Sequence, residues 1–155
     1  MIWCGSTEVF ATEGAAHATI EAGIAQPILL GLPDRLAEHG GQLGIDLEGA
    51  VLIDPRESER LDHYIEAYWQ KRQRRGITRL FAAKELRRSR TAFGMMMVAE
   101  GDADGLVAGV RQPYPATIRP ARQIIGMREG VRRAAGMYMV VTKQGVRFLA
   151  DTTVN

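Results

Sequence analysis

Apolar and polar positions follow two rhythms along this chain, and the change from one to the other between Arg90 and Val110 orders the rest. Thr91 to Glu100 is apolar and rich in good helix formers (Phe93, Met95, Met96, Met97, Val98), with Gly101 where a left-handed cap would end a helix. After the turn Asp102-Ala103-Asp104-Gly105, the run Leu106-Val107-Ala108-Gly109-Val110 is apolar on both faces, which predicts a central parallel strand covered by helices. Upstream, Val9-Phe10-Ala11 predicts a short strand, Ala15 to Ala22 an alanine-rich helix ending at Gly23, and Ile28 to Gly31 a buried strand, together a βαβ unit. Leu32-Pro33-Asp34 opens a helix to about His39 that Gly40-Gly41 would stop, and Val51-Leu52-Ile53 predicts a third strand.

The second half is mostly helical. Ser58 to Arg75 predicts a long helix whose apolar positions Leu61, Tyr64, Ile65, Tyr68 and Trp69 share one face. Thr78 caps a helix from Arg79 to about Arg88, and Thr117 is the expected cap of a helix over Arg119 to Ile125, with Pro120 in its first turn. Met137 to Val141 and Val146 to Ala150 flank Lys143-Gln144-Gly145 and predict a hairpin.

At 155 residues, with 46% apolar and 25% charged residues, the chain can bury a core of ordinary size. No apolar run reaches the ~18 residues of a membrane span. The first residues lack both the basic region and the apolar core of a signal peptide, and the lone Cys4 has no internal disulfide partner, so a cytoplasmic location is expected. The net charge of +2 does not by itself call for a polyanion, but cations cluster at 71–76, at 87–90 and between Arg111 and Arg133. No aromatic residues interleave the runs at 71–76 and 87–90, so a nucleic-acid partner is not expected.

Ligands of open α/β sheets bind outside the carboxyl ends of the strands, which directs attention to Arg111 through Pro120. Asp102 and Asp104 lie at the amino end of their strand and are read as turn formers and local caps. A calcium loop would need glycine at Val107 and glutamate at Pro113. No nucleophile elbow, phosphate loop or dinucleotide fingerprint occurs, and His17, His39 and His63 share no ligand spacing. Arginines near helix ends remain. Arg119, at the start of its expected helix, is either an anion ligand supported by backbone amides or a solvated cation. Arg72 and Arg75 either complement a helix dipole and are solvated or serve as anion ligands.

Several stretches in register resemble the phosphate acetyl/butyryltransferases: TAFGMMMVAEGDADGLVAGV at 91–110, TIRPARQIIG at 117–126, RRGIT at 74–78, GIAQPILLG at 23–31, LGIDLEG at 43–49 and IDPRES at 53–58. The resemblance implies an α/β fold, a parallel sheet flanked by helices like that of isocitrate and isopropylmalate dehydrogenases, here incomplete. Residues 1–130 would form most of a first α/β domain, and 131–155 the β-hairpin that begins a truncated second one. It further implies acyl-CoA and phosphate as ligands, no covalently bound cofactor, no metal, no membrane partner and a homo-oligomer. By the same resemblance Arg119, in RPARQII, and Arg72, ahead of RGIT, hold the phosphate or acetyl-phosphate oxyanion while the CoA thiolate attacks, and Thr117 joins Arg119 in binding acetyl-CoA.

The ending GMYMVVTKQGVRFLADTTVN is similar to the carboxyl-terminal domain of bacterial NADP-dependent malic enzymes. The expectation is therefore an acetyl-CoA-binding regulatory tail of such an enzyme; the alternative is a piece of an active phosphate acetyltransferase. The family's proposed catalytic aspartate and serine would lie in polypeptide beyond Asn155. On that expectation the 155-residue chain alone transfers no acetyl group from acetyl-CoA to phosphate above background. Turnover comparable with that of a full-length relative would contradict it.

Overall fold

A computed structural model describes residues 2–3, 10–108 and 113–150. The chain divides into two compact units, Met1–Ile125 and Gly126–Asn155. In the first, four short strands form one parallel sheet: β1 (Ile2–Trp3), β2 (Ile28–Leu30), β3 (Val51–Ile53) and β4 (Leu106–Val107), in the order β3-β2-β1-β4. Register pairs Ile28 with Val51 and Ile2 with both Ile28 and Leu106. Among the described residues, six α-helices complete the unit: α1 (Phe10–Glu21), α2 (Pro33–Leu43), α3 (Leu61–Arg72), α4 (Arg79–Arg88), α5 (Arg90–Ala99) and α6 (Tyr114–Ile124). The parallel sheet flanked by helices is the α/β class that the apolar runs called for.

Several boundaries differ from the expected ones, each for a physical reason. Phe10 and Ala11 open α1 instead of forming a strand, while Val9 lies outside the described residues; the strand role falls to Ile2–Trp3, two residues too few to show a rhythm. Helix α2 runs through Gly40-Gly41. Gly40 is buried, and a Cβ there would sit 3.1 Å from the Ile45 carbonyl and 3.1 Å from Leu47, so this glycine permits close approach. The stop is Gly44, left-handed at φ 64°, whose N–H returns to the Gly40 and Gly41 carbonyls. Strand β4 is at the sheet edge among the described residues, with Val107 41% exposed, so it is not the doubly covered central strand expected; Gly109 and Val110 lie outside the described residues.

Helix α6 begins three residues before Thr117. Pro113 is its cap and Pro115 lies in its first turn, whereas Pro120 is internal, so the proline at a helix start is Pro115 and not Pro120. Thr117 is therefore a helix-interior residue and not a cap, and Arg119 sits in mid-helix.

The core is built around α3 and α5. Leu61, Tyr64, Ile65 and Tyr68 bury one stripe of α3, while every residue of α5 from Thr91 to Met97 is buried. Tyr64 meets Phe93 edge-on, ring centroids 5.2 Å apart. Ser89 caps α5 by accepting from the Ala92 N–H, and Gly101, at φ 80°, supplies the expected left-handed residue after it. Thr78 caps α4 as expected, accepting from the Phe81 N–H.

The turn after α5 does more than turn. Asp102 Oδ2 accepts from the Tyr64 hydroxyl at 2.5 Å and from Arg60 Nη2 at 2.9 Å, and His63 Nε2 lies 2.8 Å from Glu100. Asp102 thus ties the end of α5 to the start of α3, a long-range role in place of a local cap. The Tyr64 hydrogen bond holds the Asp102 carboxyl below its ordinary pKa, with Arg60 assisting against partial burial. Burial, and then the Asp102 hydrogen bond, push the Tyr64 phenol up to about 12.

The second unit consists of a β-hairpin, β5 (Met137–Thr142) and β6 (Gly145–Ala150), antiparallel with Met139 opposite Phe148. Thr142 Oγ1 donates to the Gly145 carbonyl and accepts from the Gln144 N–H across the two-residue loop. All twelve hairpin residues are exposed within the chain.

The Asp102 contacts make stability pH-dependent. A carboxyl whose folded pKa is depressed stabilises fully above its unfolded value, about 3.9, and loses that contribution as pH falls through the lower folded value. Asp102→Asn should cost about 1 kcal/mol near neutral pH, because the side chain is 34% exposed and its ion pair screened. The gap from the parent should close as pH falls below about 3.9. Urea unfolding of both proteins from pH 7 to pH 3 checks this; a gap constant with pH would show that the carboxylate charge is immaterial.

Candidate active site

The carboxyl end of α3 and the face of α6 meet across a cavity of about 320 Å³, lined by Arg72, Arg75, Pro115, Ile118, Arg119, Arg122 and Gln123. Helical spacing explains the lining. Pro115, Arg119 and Gln123 are successive i, i+4 neighbours on α6, and Ile118 and Arg122 stand beside them. On the other wall, Arg72 ends α3 and Arg75 ends the 3₁₀ turn Gln73–Arg75 that continues it, before Gly76 at φ 84°. Lys71 Nζ donates to the Ile125 carbonyl at 3.4 Å, and Tyr68 to Gln123 Oε1 at 3.3 Å, so two contacts join the walls.

Every charged residue of this lining is a cation. Among the described residues, four of the seven that line it are arginines, none is acidic, and none of the four arginines is paired to a carboxylate. Arg72 Nε is buried without a hydrogen-bond partner, which is costly for a charged donor unless something accepts from it. Unpaired guanidiniums converging on one cavity repel each other and favour an anion between them; their forked donors suit phosphate or carboxylate oxygens.

Of the residues singled out from the sequence, Arg72, Arg75 and Arg119 therefore share one cavity. Arg119 is exposed and lies in mid-helix, so the backbone amides of a helix amino terminus do not assist it as expected; the guanidinium alone faces the cavity. Thr117 does not line the cavity; it is half-buried, and its Oγ1 has no hydrogen-bond partner. Arg111 and Gln112 lie outside the described residues. Arg122 and Gln123 were not singled out, although their spacing from Ile118 and Arg119 marks one helix face. Tyr64, Tyr68 and Met95 to Met97 are core residues, as their spacing indicated.

One further charged group is unusual. Glu13 is 1% exposed with both carboxyl oxygens lacking hydrogen-bond partners, and burial raises its pKa despite the nearby His39.

The model of the family "Phosphate acetyl/butaryl transferase" matches residues 8–155. A phosphate acetyltransferase of Thermoanaerobacterium thermosaccharolyticum is 35% identical, covering 91% of this chain and 44% of that protein. The Nitratidesulfovibrio vulgaris phosphate acetyltransferase is 34% identical over 91% of this chain and 20% of its own length, and an NADP-dependent malic enzyme of Salmonella typhimurium is 32% identical over 90% and 19%. The EutD phosphotransacetylase from Staphylococcus aureus superposes with a TM-score of 0.86 at 28% identity, over 99% of this chain and 46% of that one; a phosphotransacetylase from Streptococcus pyogenes gives 0.87 at 29%, over 99% and 47%. The chain thus spans less than half the length of these relatives.

These likenesses overturn the expectation of a malic-enzyme regulatory tail. Phosphotransacetylase structures cover 99% of the chain at high TM-scores, and the family model runs through the ending that had pointed to malic enzyme. With the family model matching all but the first seven residues, the chain belongs to the phosphate acetyl/butaryl transferase family.

Proposed function

We propose that this chain is the oxyanion-holding part of a phosphate acetyltransferase, a unit that moves an acetyl group between coenzyme A and phosphate. The observation carrying this reading is the cavity with four arginines and no carboxylate, two of them at the motif positions Arg72 and Arg119. Its ligands would be acyl-CoA and phosphate. Residues 1–130 would form most of one α/β domain, of the kind seen in isocitrate and isopropylmalate dehydrogenases, and 131–155 the start of a second.

The chemistry asked of the arginines follows from charge. In the transfer, the CoA thiolate sulfur, its proton already lost, forms a bond to the acetyl carbon as the bond from that carbon to the phosphate oxygen breaks, and phosphate leaves with the electron pair. Negative charge grows on the leaving phosphate and on the carbonyl oxygen. Guanidiniums already in place stabilise it without reorganising, and one such donor typically contributes ~3 kcal/mol. Arg72 and Arg119 come from different helices, so they can approach a tetrahedral oxyanion from two sides.

Because no helix amino terminus supports it, the Arg119 contact should depend on the side chain alone. Arg119→Ala is expected to weaken binding of inorganic phosphate by ~1.5–3 kcal/mol, the range for a hydrogen bond to a charged group, with little change in unfolding temperature. Arg119→Lys should restore only part of the loss, since an ammonium keeps the charge without the fork. Isothermal titration of the three proteins decides: undiminished affinity in the alanine variant would make Arg119 a solvated helix residue, and full recovery by lysine would reduce the contact to diffuse charge.

A further inference from the structure

Below the arginines, the α3 stripe continues into Tyr68, one helical turn before Arg72 and 1% exposed. Its hydroxyl donates to Gln123 Oε1 at 3.3 Å, and Gln123 in turn lines the cavity. A primary amide has one acceptor end and one donor end, so a partner that occupies the oxygen decides where the NH₂ group points. Tyr68 can hold that role steadily: burial and the nearby Glu85 raise its pKa against the influence of Arg72, and the phenol remains a donor across the neutral range.

We propose that Gln123 is an anion-binding residue whose amide NH₂ donates to the oxyanion held by the arginines, and that Tyr68 is the positioning residue that turns the amide that way. The inference rests on the arginine cavity binding phosphate and adds to it a neutral donor. The ordinary account of the Tyr68–Gln123 bond is a tie between α3 and α6, alongside Lys71 and the Ile125 carbonyl. That account leaves unexplained why Gln123 lines a cavity in which, among the described residues, every other polar side chain is a cationic donor. A neutral donor completes the coordination of an oxyanion without adding a fifth charge to four that already repel.

The two accounts predict different behaviour on titration with inorganic phosphate. In the parent, the Gln123 side-chain NH₂ resonances should shift along the same isotherm as phosphate binding. Tyr68→Phe and Gln123→Leu should each weaken binding about three- to tenfold, with the double variant no worse than the weaker single one, since both remove the same hydrogen bond. Gln123→Glu retains an acceptor for Tyr68 but replaces the donor with a carboxylate, so it should bind phosphate more weakly than Gln123→Leu while unfolding no lower than the parent, because the carboxylate pairs with the arginines. Unmoved Gln123 resonances, or parent-like phosphate affinity in Gln123→Leu and Tyr68→Phe while Arg119→Ala loses it, would leave the arginine cavity standing and reduce Gln123 to a structural tie. No phosphate binding by the parent would overturn both. The parent titration involves no substitution, so it decides even if a variant fails to fold.

Discussion

Helix α3 does two incompatible-looking jobs along one twelve-residue span, and the structure of the first unit depends on its doing both. Its buried stripe, Leu61, Tyr64, Ile65 and Tyr68, docks against a helix α5 that is buried on every side from Thr91 to Met97. Side chains of this size stabilise by about 1.5–3 kcal/mol each when fully buried, and truncating an aromatic such as Phe93 to alanine costs about 3–5 kcal/mol. That packing sets the rotation of α3 about its axis, and the Asp102 contacts to Tyr64 and Arg60 fix where the helix begins. Once both are set, the direction in which the Arg72 side chain leaves the helix is set too: it lies one turn past Tyr68 on the same face and lines the cavity.

The cationic cavity follows from where the hydrophobic stripe runs out. Cations at the end of a helix are ordinarily accounted for by the helix dipole and solvation, and Arg74 needs nothing more. Arg72 differs because α6 closes over it, burying Nε without a partner and bringing Arg119 and Arg122 to the opposite side. An oxyanion between the guanidiniums would offset that electrostatic cost. Under the proposed function, guanidiniums already in place would meet the charge of an acyl transfer without reorganising.

What could be read from the sequence was what repeats. The stripe of α3, the buried α5, the caps Thr78 and Ser89, the strands at Ile28 and Val51 and the hairpin all carry local periodicity or turn chemistry; of these only Ser89 went unnoticed. Features decided by tertiary contact were misread. Gly40 looked like a stop because glycine usually is one, whereas here it makes room for the Ile45 carbonyl and Leu47. Pro120 looked like a first-turn proline, but Pro115 already occupied that position. Strand β1 was invisible because two residues have no period. At the site, Arg72, Arg75 and Arg119 are legible as arginines near expected helix ends, with motif resemblance adding roles for Arg72 and Arg119, while Arg122 and Gln123 lie on the α6 face that Arg119 defines.

The central claim is that Arg72 and Arg119 hold one oxyanion between two helices, and a crystal structure of the chain in millimolar inorganic phosphate tests it most directly. The account predicts tetrahedral density in the cavity within hydrogen-bond distance of both guanidiniums, with Arg72 Nε now partnered. A cavity holding only water at phosphate concentrations that saturate binding in solution, or phosphate seated elsewhere with Arg72 and Arg119 unchanged, would contradict it.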